Sequence, residues 1–204
     1  PDLGTGTIIT VTIIAMLFVS GVKMSFFTLL GILGLLGIAG LIIIAPYRVN
    51  RILSFIDPWK DPLGTGFQII QSLYAIGPGS LFGLGLGGSR QKHFYLPEPQ
   101  TDFIFSIICE ELGFIGGSIV VVLFALLTYE GFKISRKSND LFQKYLAFGL
   151  TFSLAFQSSL NLMVVVGLIP VTGVTLPFLS YGGSSLLISM TSIGLLLNIS
   201  KNIR

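Results

Sequence analysis

The sequence predicts an all-α fold, a polytopic transmembrane helix bundle, and three observations predict it. Only 10% of the 204 residues are charged and 52% are hydrophobic, whereas a soluble domain carries about 25% charged residues. Mean hydropathy is +0.88, and so few charges cannot cover a water-facing surface. The apolar residues also gather into five long runs. Backbone groups in lipid must be satisfied within their own segment, so runs of this kind are read as helices.

The runs occupy residues 5–21, 25–45, 102–128, 144–169 and 182–200. Each reaches or approaches the roughly 20 residues that a helix needs to cross about 30 Å of hydrocarbon. The whole of 1–204 is read as one integral-membrane domain, with a long loop at 46–101. The chain opens at Pro1 with no Met and no basic leader, as expected of an internal fragment.

Net charge is +3, but its placement says more than its sum. With alternating loops, one side collects Lys23, Lys133, Arg136, Lys137, Lys144, Lys201 and Arg204 in short connections or at the tail. The other collects Arg48, Arg51, Lys60, Arg90 and Lys92 along the long loop. Short basic loops stay in the cytoplasm, while long loops are translocated despite their charge. Residues 129–143 and the C-terminus are therefore expected inside, and 46–101 and 171–181 outside. The cations are read as topology signals within a lipid environment, with no nucleic-acid partner.

Gly31, Gly34, Gly37 and Gly40 recur every three residues in the second run, and Gly113, Gly116 and Gly117 lie in the third. Small residues let helix backbones approach closely in lipid. Ser153, Gln157 and Asn161 fall on one face of the fourth run and are expected to face other helices, with Asn161 a candidate cavity residue. The lone Cys109 excludes an intrachain disulfide and reads as a small buried side chain.

The long loop is where polar chemistry concentrates. Residues 67–76 read as a short amphipathic helix lying on the membrane surface or against the bundle. Gly83-Leu84-Gly85-Leu86-Gly87-Gly88-Ser89-Arg90-Gln91-Lys92 comes after it. Its glycines free backbone amides and two cations come next, a combination that can hold a phosphate or else form a flexible surface turn. It lacks the Gly-Lys-Ser/Thr of a P-loop. His93 reads as a solvated loop residue, and no His/Cys/Asp cluster has metal-site spacing.

Asp102 opens the third run behind the stiff Pro97-Glu98-Pro99 approach. A carboxylate there is stabilised by a helix N-terminus, so it reads as a helix cap or as a general base at the water–lipid boundary. Glu110 and Glu111 lie deeper in the same run. Such carboxylates are costly in lipid and turn inward, toward a polar contact or a cavity.

Several stretches carry a family resemblance. They are Asp61-Pro62-Leu63-Gly64-Thr65-Gly66-Phe67-Gln68, Pro97-Glu98-Pro99-Gln100-Thr101-Asp102-Phe103-Ile104-Phe105, Glu110-Glu111-Leu112-Gly113, Gly167-Leu168-Ile169-Pro170-Val171-Thr172-Gly173 and Thr175-Leu176-Pro177-Phe178-Leu179-Ser180-Tyr181-Gly182-Gly183-Ser184-Ser185. In this order they resemble the SEDS family, the FtsW, RodA and SpoVE group, most nearly the FtsW/SpoVE branch of Bacillus-like bacteria.

The resemblance implies a ten-span protein of which this chain matches about the sixth to tenth spans, inactive if it stood alone. It implies a peptidoglycan glycosyltransferase of the bacterial cell membrane that joins lipid II molecules and releases undecaprenyl pyrophosphate. It further implies that Asp102 is the essential aspartate and that a class B penicillin-binding protein is the partner. On that reading Arg48, Arg51, Arg90 and Lys92 are candidates to meet the departing diphosphate, and Glu98, Glu110 and Asn161 to line the cavity. A magnesium or manganese ion could share the charge, but no ligand set announces one. A lipid II flippase and a non-catalytic scaffold for the transpeptidase are the competing readings.

Overall fold

The computed structural model describes residues 3–44, 55–64, 66–91 and 99–201. Helices dominate, with no strand among the described residues. In chain order they are α1 (Leu3–Val19), α2 (Met24–Ile44), a single 3₁₀ turn (Pro58–Lys60), α3 (Phe67–Ile76), α4 (Ile104–Lys137), α5 (Leu141–Val165) and α6 (Gly183–Lys201). Each of the five apolar runs lands on a helix. Among the described residues α4, α5 and α6 are long and apolar enough to cross a membrane, and α1, α2 and α3 supply shorter apolar stretches.

Two boundaries differ from expectation. The connection expected at 129–143 is only three residues long, because α4 continues to Lys137 and α5 begins at Leu141. Asp140 caps α5, its carboxylate accepting from the Gln143 amide at 2.9 Å. Lys133, Arg136 and Lys137 therefore sit on the last turns of a helix, where cations complement the helix dipole.

The second difference is inside α4. Its 34 residues are not continuous: Gly113 adopts φ 68°, ψ −164°, a region open essentially to glycine alone. The 24 residues after the break are enough on their own to cross about 30 Å of hydrocarbon. Glu110 and Glu111 lie within the first eight residues of α4.

α5 is the hub of the bundle, packing against α1, α3, α4 and α6. A ladder of rings, Phe132–Phe148–Phe152–Phe156, runs along α5 and onto α4, with centroids 5.4–5.9 Å apart. Phe103, Phe105, Ile107 and Cys109, around the start of α4, bury against Val164, Val165 and Leu176. Close packing of these side chains anchors the start of α4 to the end of α5.

The amphipathic segment folds against the bundle. Ile69, Ile70, Ser72 and Ala75 of α3 are buried. The Ser72 hydroxyl donates to the Val165 carbonyl at 2.7 Å and so accepts from Ser106 at 2.7 Å, joining three helices at one buried point. Trp59 meets Tyr74 edge-on with centroids 5.9 Å apart, tying the 3₁₀ turn to α3.

The glycine patterns divide. Around Gly31, Gly34 and Gly37 there is open space, so no described residue packs on that stripe of α2. Gly117 does admit neighbours, Cys109 Sγ and the Phe105 ring.

Candidate functional site

The site is built where α4 begins. Residues 99–103 form a turn, and the α4 N-cap is Phe103, with no side-chain capping bond. Asp102 is thus not the cap of α4, one of the two roles its position suggested. It has partners of its own and is half-buried.

Three side-chain or main-chain groups fasten this turn to the 171–181 segment. The Asn161 amide donates to the carbonyls of Asp102 and Val174, both at 2.7 Å. Ser180 Oγ donates to the Thr101 carbonyl at 2.6 Å while accepting from the Leu176 amide at 2.7 Å. The Tyr181 amide donates to the Gln100 carbonyl at 2.7 Å. Gln157 holds the same segment from one turn earlier on α5, donating to the Thr175 carbonyl at 2.9 Å.

Asp102 Oδ2 faces Gly173, where an added Cβ would stand 3.7 Å away. Gly173 has φ +73° and is exposed, so the carboxylate lies at the rim of the bundle. The adjoining turn is tight enough to force Phe178 to φ 67°, a strained state for a bulky residue.

The glycine-rich loop approaches α4 from the other side. In an unbroken helix the amides of Phe114 and Ile115 would bond the carbonyls of Glu110 and Glu111. Here they donate to Ser80 (2.8 Å) and Leu81 (3.3 Å), and Glu110 and Glu111 accept from Leu84 (2.9 Å) and Gly85 (3.0 Å). The loop is wedged into the break at Gly113 and satisfies these four backbone groups that the break releases.

Glu110 is 1% exposed. Its Oε2 accepts from Ser89 Oγ at 2.6 Å and its Oε1 from the Arg90 amide at 2.9 Å. Between loop and helix lies a groove of about 410 Å³, bounded by Leu86, Gln100, Ile104, Ile108 and Glu111. Gln100 and Ile104 flank Asp102 by two residues on either side, though Asp102 is not itself in the groove lining.

Comparison with known proteins places this arrangement. The profile of the FtsW/RodA/SpoVE family, described as cell cycle proteins, matches residues 1–204. The chain belongs to this family. It is 57% identical over 201 residues to stage V sporulation protein E of Bacillus subtilis (strain 168), covering 98% of this chain and 55% of that protein. It is 46% identical to the probable peptidoglycan glycosyltransferase FtsW of Geobacter sp. (strain M18), covering 100% of this chain and 55% of the relative. The chain therefore spans about half the length of the curated relatives it matches.

Among solved structures, one reported as "Structural coordination of polymerization and crosslinking by a peptidoglycan synthase complex" matches all of this chain and 56% of its own, at TM-score 0.74 and 33% identity. A crystal structure of an aspartate-to-alanine mutant of the rod shape determining protein RodA of Thermus thermophilus covers 64% of this chain and 39% of its own, at TM-score 0.50 and 36% identity.

For this member of the FtsW/RodA/SpoVE family, the structure brings some of the sequence-predicted residues together. Asp102 and Asn161 share a hydrogen bond, and Glu110 holds the main chain of Arg90, whose side chain is exposed. Arg48, Arg51, Lys92, His93 and Glu98 lie outside the described residues. No group of three or more His, Cys, Asp or Glu side chains that could hold a metal gathers among the described residues.

Sequence reasoning did not single out Ser89, Gly173 or Ser180. Gly173 and Ser180 lie in stretches that carry the family resemblance, but nothing local marks either as a contact. Ser89 has no local mark either: its partner is 21 residues away.

Proposed function

We propose that this chain forms the Asp102-bearing part of a peptidoglycan glycosyltransferase that polymerises lipid II at the outer face of the bacterial cell membrane. Support comes from family membership and from relatives named as probable peptidoglycan glycosyltransferases. The observation that carries the reading is the fastening of the Asp102 turn. Asn161, Ser180 and the Tyr181 amide hold its main chain, so the carboxylate is aimed at the rim by its backbone.

In this reading the 4-hydroxyl of the acceptor sugar attacks the anomeric carbon of the donor. A new β-1,4 glycosidic C–O bond forms, and the bond from that carbon to the diphosphate oxygen breaks. Asp102 takes the hydroxyl proton, help worth about 10²–10⁴-fold. Undecaprenyl pyrophosphate departs with the bonding electron pair, and its growing charge is met by Arg90, with Lys92, Arg48 and Arg51 as further candidates. The partner is a class B penicillin-binding protein that crosslinks the new strands, in keeping with the complex whose fold this chain shares.

The test uses the full-length protein, purified in detergent and given lipid II. The expected result is polymer from the wild type and none from Asp102→Asn, with the two unfolding at the same temperature. Transport of lipid II across vesicles without polymer in detergent would point to a flippase. Normal growth supported by Asp102→Asn would point to a scaffold.

A further inference from the structure

We infer that Glu110 is a positioning residue that locks the Gly83–Arg90 loop to the same helix end that carries Asp102, so that the loop's cation and the carboxylate are held as one frame. The inference rests on the function proposed above for its chemistry, though its geometry stands alone.

Two kinds of bond make the lock. The backbone exchange at Gly113 threads Ser80–Gly85 into α4 through four hydrogen bonds of 2.8–3.3 Å. That exchange fixes the near end of the loop; beyond it the Gly88 amide closes a turn onto the Gly85 carbonyl at 2.9 Å, and Gly87 has φ +78° and open space around it. The far end is caught by one side chain. Glu110, buried to 1% exposure, uses both oxygens on Ser89 Oγ and the Arg90 amide. A carboxylate spreads its two acceptors in a plane, so a paired hydroxyl and amide fix the orientation of the segment as well as its distance.

The consequence is mechanical. From Ile104 to Glu110 the helix rises about 9 Å, and Asp102 sits just before that stretch, itself pinned by Asn161 and by Ser180 through Thr101. Arg90 and Asp102 are therefore tied to opposite ends of one short rigid rod. The groove of about 410 Å³ lies between loop and helix, with Leu86 on the loop wall and Ile104 and Ile108 on the helix wall. Without Glu110 the segment carrying the exposed Arg90 would be held to the loop only by the turn that the Gly88 amide closes. A misplacement of about 1 Å in a positioning element is enough to cost on the order of 10²-fold in rate.

Glutamine offers a discriminating substitution. Its carbonyl can accept from the Arg90 amide while its NH₂ donates to Ser89 Oγ, which can accept. Alanine removes both contacts and leaves the Arg90 amide unpaired.

The experiment uses full-length protein in detergent with lipid II as substrate and inorganic pyrophosphate as a probe of the anion site. Glu110→Ala is expected to lower kcat about 100-fold with KM changed less than about threefold. It should also weaken inhibition by pyrophosphate and speed hydrogen exchange at the Arg90 amide. Glu110→Gln is expected to restore most of the rate. Should Glu110→Ala fail to fold, Ser89→Ala carries the test, with a smaller loss in the same direction. Unchanged exchange at Arg90 in the alanine variant, or equal losses in alanine and glutamine variants that both fold, would overturn the lock. A polymerising Asp102→Asn would overturn the proposed chemistry instead, while the exchange measurement would still judge Glu110.

Discussion

The side-chain amide of Asn161 donates at 2.7 Å to the main-chain carbonyl of Asp102, and at the same distance to that of Val174. One buried residue of α5 thus joins the turn before α4 to the segment after α5. Asn161→Asp would put a carboxylate oxygen against two carbonyl oxygens in a site only 1% exposed. The expected loss is about 2–4 kcal/mol of stability, read as a fall in the unfolding temperature in detergent. Asn161→Ala leaves both carbonyls without this donor and is expected to cost somewhat less.

Ser180 tests the same fastening from the other side. Its hydroxyl bridges the Leu176 amide and the Thr101 carbonyl. Ser180→Ala removes both bonds with little change in volume. A loss of about 1–3 kcal/mol is expected, together with a lower kcat, because the Asp102 turn is then held by fewer bonds. Ser180→Thr, which keeps the hydroxyl, should retain more of both.

Gly113 cannot carry a side chain. Its φ/ψ is reserved for glycine, and a Cβ would meet the Leu81 carbonyl and the Gly83 amide. Gly113→Ala is expected to cost at least about 3 kcal/mol, seen as poor yield of folded protein and a large drop in unfolding temperature.

Gly173 separates positioning from stability. Its φ of +73° disfavours any side chain, and a Cβ would stand at van der Waals distance from Asp102 Oδ2. Gly173→Ala is expected to cost about 1 kcal/mol in stability but a larger factor, roughly tenfold or more, in polymerisation rate. The added methyl would lie against the carboxylate proposed to take the proton. Parallel unfolding and rate measurements on the purified variant would separate the two effects.

Much of this protein was legible in its residues taken in order. The scarcity of charge and the long apolar runs determined an all-helical membrane bundle, because lipid allows a spanning backbone few other ways to satisfy its polar groups. Local motifs pointed to Asp102, Arg90, Glu110 and Asn161, since polar residues bordering apolar runs need a reason to be there. Helix ends were less legible: the short connection at 138–140 depended on Asp140 capping α5 and on cationic turns extending α4.

What only the tertiary structure decided is which groups meet. Glu110 and Ser89 are 21 residues apart in the chain, and Asn161 and Asp102 are 59 apart. No periodicity encodes such pairs, because they arise when separate segments are packed together and each buried polar atom must find a partner among whatever arrives. The same physics turned Gly113 from an expected packing residue into a break, since the inserted loop supplies the hydrogen bonds that the helix gives up there.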